Sequence, residues 1–166
     1  MPEETVVADS GPLIALALAG CLHLLRDIYD KVLIPDAVWR EVTEGGQGRA
    51  GAAEIASASW LERTKLDRSP DLLLRAELGP GEAEAITLAA DRNGLLIVDE
   101  RQARRIAEMV YGLRVRGTVG TLVLAKRRKL VAQVRPILEH MRTSGYFLSN
   151  ALVESACESV GEGSGR

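Results

Sequence analysis

Two short apolar runs, each followed by an aspartate, place the strongest constraint on the fold of this chain. The first is TVVA (Thr5–Ala8), followed by Asp9, and the second is LLIV (Leu95–Val98), followed by Asp99. Such uninterrupted runs are typical of strands that are buried on both faces. Because these strands occur in parallel sheets that helices cover on each side, the two runs predict an α/β fold.

Weaker strand signals and helical patterns alternate along the rest of the chain. Further strands are predicted at KVLI (31–34) and LRVR (113–116), and less strongly at WLERTKL (60–66) and GYFL (145–148). Helices are predicted over residues 12–28, 36–43, 49–58, 70–77, 81–92, 101–111, 118–129, 132–143 and 150–159. Strands that are separated by helical crossovers predict a three-layer α/β/α sandwich with a mostly parallel central sheet.

The length and composition fit one globular domain. A chain of 166 residues is long enough to bury one hydrophobic core, and its 46% hydrophobic content is that of a soluble globular protein. Residues 1–160 are therefore predicted to form a single domain. The Gly-rich segment Thr43–Gly51 is predicted to be a flexible loop, and Gly161–Arg166 a flexible C-terminal tail.

Charge, cysteine usage and hydropathy exclude several classes of protein. The net charge of −2 provides no overall positive field for nucleic acid, so any such binding needs a local patch. Cys21 and Cys157 form no metal-type spacing or disulfide framework, which predicts a cytoplasmic protein. The apolar stretch Gly11–Leu25 is too short and Gly-interrupted for a membrane span and follows acidic residues, so a buried helix is expected.

Two of the acidic residues are predicted to leave the sheet at the same edge. Ligands of open parallel sheets bind beyond the carboxyl ends of the strands, and Asp9 and Asp99 follow two such ends. Taken singly, each is more simply explained as a helix cap. Asp9 or Ser10 would cap a helix that starts at Pro12, and Asp99 would cap the next helix.

Glu82 and Glu41 are further candidates for the site, and the sequence supports Glu82 more strongly. At helical spacing Glu82 projects into the apolar sector of its helix, whereas Glu84 points almost opposite, toward solvent. A buried carboxylate is costly unless it is paired or binds a cation, although the helix dipole also favours an acid in the first turn. Glu41 flanks the buried stripe of its helix, and only the other acids make it a candidate.

Carboxylates that converge on one edge predict a cation. They repel one another and stay ionised together only if a cation joins them or water screens them. Oxygen ligands favour hard ions, so the expected cofactor is Mg²⁺ or Mn²⁺, and such a site suits phosphoryl chemistry. A histidine mechanism is not expected, because His23 and His140 lie in packing or surface contexts.

The order of these motifs resembles that of PIN-domain proteins. The runs VVADSGPLIALALAG, VLIPDAVWREV, LGPGEAEAITLA and LLIVDERQARRIAEMVYGLRVRGTVGTLVLAKRRKL carry the resemblance over roughly residues 5–150. They are most similar to a prokaryotic PIN-like branch that is related to VapC-type toxins. The resemblance implies a metal-dependent ribonuclease with a parallel sheet and three or four acids at one edge.

The resemblance implies a role for each acid in turn. The family's catalytic acids match Asp9, Glu41, Glu82 and Asp99. The implied metal ligands are Asp9, Glu82 and Asp99, with Glu100 as an alternate or additional ligand. Relatives often carry two aspartates where this chain has Asp99 and Glu100, so the choice between these two ligands stays open.

Three residues near the same edge are expected to bind substrate. Ser10 is retained from the family's first motif, in which Gly11 replaces a second serine, and it either hydrogen-bonds the metal shell or caps its helix. Arg104 matches the family's AR position and is expected to contact a phosphate or a site carboxylate. Thr118 either caps its helix or lies at a turn whose amides bind a phosphate.

The resemblance also implies partners. RNA is the implied substrate, many relatives are toxins that a small antitoxin inactivates, and many form homodimers. A different class of function is a catalytically weak PIN-like module that binds RNA or protein. Retention of all four acids argues against this second possibility.

Overall fold

Five parallel strands form the central sheet in the computed structural model of the protein, which describes residues 4–44 and 51–163. They are β1 (Val6–Ala8), β2 (Val32–Pro35), β3 (Leu61–Thr64), β4 (Leu95–Ile97) and β5 (Val115–Arg116). The strand order is β3-β2-β1-β4-β5, and every neighbouring pair is parallel. The predicted strand at 145–148 is wrong, because these residues form a turn and irregular chain.

Helices flank this sheet and give the predicted three-layer α/β/α fold. Those within the described residues are α1 (Ser10–Leu18), α2 (His23–Tyr29), α3 (Asp36–Thr43), α4 (Ala52–Ser57), α5 (Leu72–Glu77), α6 (Pro80–Arg92), α7 (Arg101–Met109), α8 (Thr118–Arg127), α9 (Arg135–Thr143) and α10 (Asn150–Ser159). Helices α3 and α10 have the predicted bounds. Most of the other helices are a few residues shorter than their predicted ranges.

The predicted helix over residues 12–28 is instead two helices. Gly20 lies between α1 and α2 with a φ of +70°, a left-handed conformation that glycine adopts without steric cost. The two helix axes differ by 117°. No single helix in the described ranges is long and apolar enough to cross a membrane, and α1 and α2 meet that test only as a bent pair.

The two central strands carry the site. Val7 pairs with Leu96 and Ala8 with Ile97, and all four side chains are fully buried, as the uninterrupted apolar runs predict. The amide of Asp9 continues this pairing by donating a hydrogen bond of 2.9 Å to the carbonyl of Ile97. The chain segments after β1 and β4 therefore leave the sheet side by side at its carboxyl edge.

Glu162, close to the C-terminus, contacts the start of α9. The Glu162 carboxylate accepts hydrogen bonds from the amides of Val134 at 2.8 Å and Arg135 at 3.2 Å, where α9 begins. It also pairs with Lys126 at 3.4 Å. Glu162 lies within the predicted tail, while residues 164–166, and residues 45–50 of the predicted loop, lie outside the described residues.

Candidate active site

Asp9 lies at the centre of the candidate site. Its side chain is 4% exposed, and Oδ1 is buried without a hydrogen-bond partner in the described structure. Burial raises the pKa of Asp9 to about 7, and a hydrogen bond from the backbone of Ser10 opposes this rise. Three acids add to the rise through their charge: Glu82, Glu41 and Asp99. Asp9 occupies the cap position of α1, but its side chain makes no capping hydrogen bond.

The carboxylate of Glu41 is held from two sides. Ser10 Oγ donates a hydrogen bond of 2.8 Å to Glu41 Oε2, and the amide of Gly81 donates one of 3.1 Å to Oε1. The side chain of Ser10 thus serves a site carboxylate and does not cap its helix. These contacts join three helices, α1, α3 and α6, at a single carboxylate.

Glycine at position 81 is required by this contact. A Cβ atom on Gly81 would lie 2.9 Å from Cδ of Glu41 and closer still to Oε1. Real Cβ atoms do not approach other atoms so closely, so any side chain at this position displaces the Glu41 carboxylate. The Gly81 residue of the GPGEAE motif therefore has a defined role at the site.

Glu82 follows in the first turn of α6 and is half-buried. Burial raises its pKa, and the charges of Glu100 and Glu41 raise it further. Glu84 departs from its prediction as a solvent-facing residue. It is half-buried, and its Oε1 accepts a hydrogen bond of 3.1 Å from the amide of Ala37 in the first turn of α3, because α3 packs against α6.

Asp99 is held by three hydrogen bonds. The amide of Thr118 donates to Oδ1 at 2.7 Å and its hydroxyl donates to Oδ2 at 2.5 Å. The hydroxyl of Tyr146 also donates to Oδ2. Burial and the charge of Asp99 raise the pKa of Tyr146, so this phenol stays protonated and remains a donor.

Tyr146 is the site residue that the sequence did not reveal. It lies 47 positions from Asp99 in a segment that was predicted to be a weak strand. No spacing rule links two residues so far apart, and the only signal was an aromatic hydroxyl within an apolar run. The contact depends on how the segment after α9 returns to the carboxyl edge of the sheet.

Glu100, and not Asp99, caps α7. Its carboxylate accepts hydrogen bonds from the amides of Gln102 at 3.0 Å and Ala103 at 2.7 Å, so the predicted capping by Asp99 is wrong. Glu100 is exposed, and its charge acts on Glu82, whereas the charge of Asp99 acts on Asp9. Asp99 is therefore the acid of this pair that belongs with Asp9.

Thr118 holds Asp99 and presents no group to solvent. Gly117 occupies the cap position of α8. Capping of α8 by Thr118, one of its two predicted roles, is therefore wrong. Its side chain is fully buried, and both its amide and its hydroxyl are bound to Asp99. In this arrangement a phosphate does not reach it, so the structure does not support the predicted direct contact with substrate.

Arg104 lies beside Asp99, and both residues line the same two clefts. One cleft is lined by Asp99, Arg101, Arg104, Arg105, Glu108 and Met109. The other is the cleft that Asp99 and Arg104 share with Gly117 and Tyr146. A Cβ atom on Gly117 would lie 2.8 Å from both Arg104 Nη1 and Asp99 Oδ1, so this glycine lets the two side chains approach. Arg104 forms no salt bridge with any residue that the structure describes, and its guanidinium is available to an anion.

The acids fit a hard cation by their chemistry. Every donor is an oxygen, and the unpartnered Oδ1 of Asp9 is a buried acceptor that a cation would satisfy. Burial, and then the charges of neighbouring acids, raise the pKa values of Asp9 and Glu82, and a positive charge would oppose both effects. Over residues 4–44 and 51–163, no three His, Cys, Asp or Glu side chains lie close enough together to hold a metal ion already.

The fold and the site together define an α/β protein whose acidic side chains gather at the carboxyl edge of a parallel sheet. Residues 5–162 match the DUF3368 family model, which is described as a PIN domain. The chain therefore belongs to the PIN domain family, whose members are generally nucleases and typically use divalent metals. No curated protein matches the sequence.

Proposed function

We propose that this protein is a metal-dependent endoribonuclease that hydrolyses phosphodiester bonds in RNA. One observation carries the proposal: the buried carboxylate of Asp9, whose Oδ1 has no partner among the described residues, is influenced by the charges of Glu82, Glu41 and Asp99. In the absence of a cation this arrangement is unfavourable, because burial and the charges of the other three acids raise the pKa of Asp9. Unfavourable clusters of titratable groups of this kind are typical of functional sites.

The side chains divide the work at this site. Asp9, Glu82 and Asp99 would bind Mg²⁺ or Mn²⁺, with Glu100 adding charge beside Glu82. The ion, when bound, activates a water and stabilises the oxygens that attack and leave phosphorus. Glu41 contributes a fixed negative charge, because Ser10 and Gly81 hold both of its oxygens.

The remaining residues position the acids and the substrate. Thr118 and Tyr146 fix the position of the Asp99 carboxylate through hydrogen bonds to both of its oxygens. Arg104, beside Asp99, binds a phosphate oxygen of the RNA and orients the scissile bond. Orientation of this kind lowers the barrier by fixing the reacting groups in advance.

A second function, a catalytically weak module that binds RNA or protein, is favoured by a specific feature of Asp99. Both of its oxygens already accept hydrogen bonds, and in the described structure no three acids are close enough to hold a metal. Such a module would keep the fold and the arginines but would not cleave RNA. The two functions differ in whether divalent metal binds to Asp9.

The test is cleavage of a labelled single-stranded RNA by purified protein with Mn²⁺, Mg²⁺ or EDTA, with the Asp9→Asn variant as the comparison. The nuclease proposal expects cleavage by the wild type with either ion, and none with EDTA or with Asp9→Asn. Equal cleavage by the variant would assign the activity to a contaminant. Absence of cleavage by wild type that still binds RNA would favour the binding module.

We also propose, from membership of the family, that the protein is the toxin of a toxin–antitoxin pair in the cytoplasm and works as a homodimer. Expression of the wild type from a tightly controlled promoter should arrest growth, and Asp9→Asn should not. A protein encoded next to it should restore growth and co-purify with it. Sedimentation of the purified chain tests the homodimer directly.

A further inference from the structure

Phe147 is the most exposed large apolar side chain of the described structure and lies at the mouth of the candidate site. It is 88% exposed, and it is the only phenylalanine of the chain. It follows Tyr146, whose hydroxyl holds Asp99, so its backbone is fixed to the site. Single exposed apolar residues are common on protein surfaces, and the position of this one distinguishes it.

Phe147 lines two clefts. One of them is also lined by Asp99, Arg104, Gly117 and Tyr146, at the acidic edge. The other, the second cleft, is also lined by Arg142, Gly145, Tyr146, Leu148, Ser149 and Asn150. The phenyl ring is therefore accessible from the cleft at the acidic edge and from the second cleft.

Each of these clefts is lined by an arginine. Arg104 forms no salt bridge with any described residue. Arg142 lines the second cleft and reaches Glu139 with Nη1 at 3.7 Å, while its Nε and Nη2 are buried. The positive charge of each arginine favours a phosphate in the cleft that it lines.

We propose that Phe147 is the stacking platform for an unpaired base of the RNA substrate, with Arg104 and Arg142 binding phosphates in the two clefts that the ring lines. An exposed aromatic ring flanked by cationic side chains is the arrangement that binds single strands, because bases stack on the ring and phosphates pair with the cations. A base in a duplex already stacks on both faces, so only an unpaired base presents a face to the ring. This inference rests on the proposed function and adds a residue that binds the substrate.

The test measures binding without cleavage. A short fluorescent 2′-O-methyl RNA, which lacks the 2′-hydroxyl, is titrated in EDTA as a single strand and as a duplex of the same sequence. The variants are Phe147→Ala, Phe147→Leu and Phe147→Trp. Leu72→Ala is the matched control, because Leu72 is 75% exposed and lines neither cleft. Thermal unfolding of each variant verifies the fold.

The expected loss follows from the strength of stacking on an aromatic ring. Phe147→Ala should weaken binding of the single strand roughly 5- to 150-fold and leave duplex binding unchanged. Phe147→Leu should behave like the alanine variant, Phe147→Trp should retain affinity, and Leu72→Ala should match wild type. A 2-aminopurine base in the strand should be quenched by wild type and not by Phe147→Ala.

Three outcomes would overturn the inference. Wild-type affinity in Phe147→Ala, with RNA cleavage intact, would refute the stacking platform alone and leave the nuclease proposal standing. A change in sedimentation by Phe147→Ala without a change in RNA affinity would assign the ring to a protein interface. Wild type that neither binds nor cleaves RNA would refute both proposals together.

Discussion

The amide of Gly81 donates a hydrogen bond to Oε1 of Glu41, so helix α6 begins directly on a carboxylate of helix α3. Ser10 binds the other oxygen of the same carboxylate. Glu41 is largely exposed, and without these two donors its flexible side chain would sample many rotamers. The contact between Gly81 and Glu41 therefore converts an exposed glutamate into a fixed part of the acidic edge.

Gly81→Ala should impair the site while the protein stays folded. The new Cβ would lie 2.9 Å from Cδ of Glu41, and the end of a flexible side chain can move away. The carboxylate then loses the Gly81 amide and its fixed position, so we expect RNA cleavage to fall about 10- to 100-fold, as for other residues that orient a metal site. Cleavage rate and thermal unfolding are measured together.

Gly79→Ala is the control for this substitution. A Cβ on Gly79 would meet no atom within 4 Å, and its φ is −68°, which any residue adopts. The variant should lose only the modest preference for glycine at a helix cap. Equal loss of cleavage in the two variants would contradict a specific role for the Gly81 contact.

Asp9→Asn should stabilise the metal-free protein at alkaline pH. The folded state raises the pKa of Asp9 from 3.8 to about 7, so folding favours its protonated form. The stabilisation that the protonated Asp9 carboxyl gives to the folded state is complete below pH 3.8 and is lost as the pH rises through 7. At full ionisation the loss is on the order of 4 kcal/mol, and the neutral amide of asparagine avoids it.

The measurement is chemical unfolding of both proteins in EDTA between pH 5 and pH 9. The advantage of Asp9→Asn in free energy of unfolding should grow across this range and level off above the pKa. Glu82, whose pKa is also raised, leaves a pH dependence of the same sign in the variant. A variant that is less stable than wild type at every pH would show that the Asp9 carboxylate is a structural residue.

Divalent metal should reverse this order of stability. A cation that binds only the folded state stabilises it by an amount that grows with the logarithm of its concentration. Mn²⁺ or Mg²⁺ should therefore raise the melting temperature of wild type in proportion to the logarithm of concentration, and should leave Asp9→Asn unchanged. A rise of equal size in both proteins would place the ion at another site.

The parts of the site that sequence reasoning found are those that the period of a strand or helix encodes. The apolar runs before Asp9 and Asp99 identify buried parallel strands, and parallel strands place their last residues at one edge. The helical spacing likewise predicts that Glu82 faces the buried side of α6, and burial raises its pKa there. Local rules were sufficient for these three acids.

The parts that it missed depend on contacts between distant segments. Glu84 faces away from the apolar sector of α6, yet α3 packs there and its Ala37 amide binds the carboxylate. Tyr146 reaches Asp99 from an irregular segment that no period describes. Glu100 caps α7 in place of Asp99, because Asp99 is bound to Thr118. Each error has its cause in a partner from another element.

Tyr146→Phe should weaken metal binding with little effect on the fold. The substitution removes one donor from Asp99 and keeps the ring that packs beside it. Partners that orient a metal ligand typically contribute 10- to 100-fold to metal affinity or activity, so we expect a loss of that size in Mn²⁺ affinity and in cleavage. Calorimetric titration with Mn²⁺ and the cleavage rate provide the two readouts.

Tyr111→Phe provides the matched control for this change. The hydroxyl of Tyr111 also donates to an aspartate, Asp71, but that pair lies outside the acidic edge. This variant should bind Mn²⁺ and cleave RNA as the wild type does. If Tyr146→Phe also matched the wild type in both readouts, the hydrogen bond to Asp99 would have no positioning role.

Arg104→Ala should weaken RNA binding and reduce its dependence on salt. Each phosphate that a cationic side chain neutralises on a single strand contributes about 0.7 to the slope of log affinity against log salt concentration. Loss of one contact should lower the slope by about this amount and raise KM, and loss of the orientation of the scissile bond should also lower kcat. Arg92→Ala is the control, since Arg92 lines a cleft with Glu4 and Lys31, away from Asp99. An unchanged slope in Arg104→Ala would mean that Arg104 acts on Asp99 and does not bind phosphate, and cleavage would then fall without a change in RNA affinity.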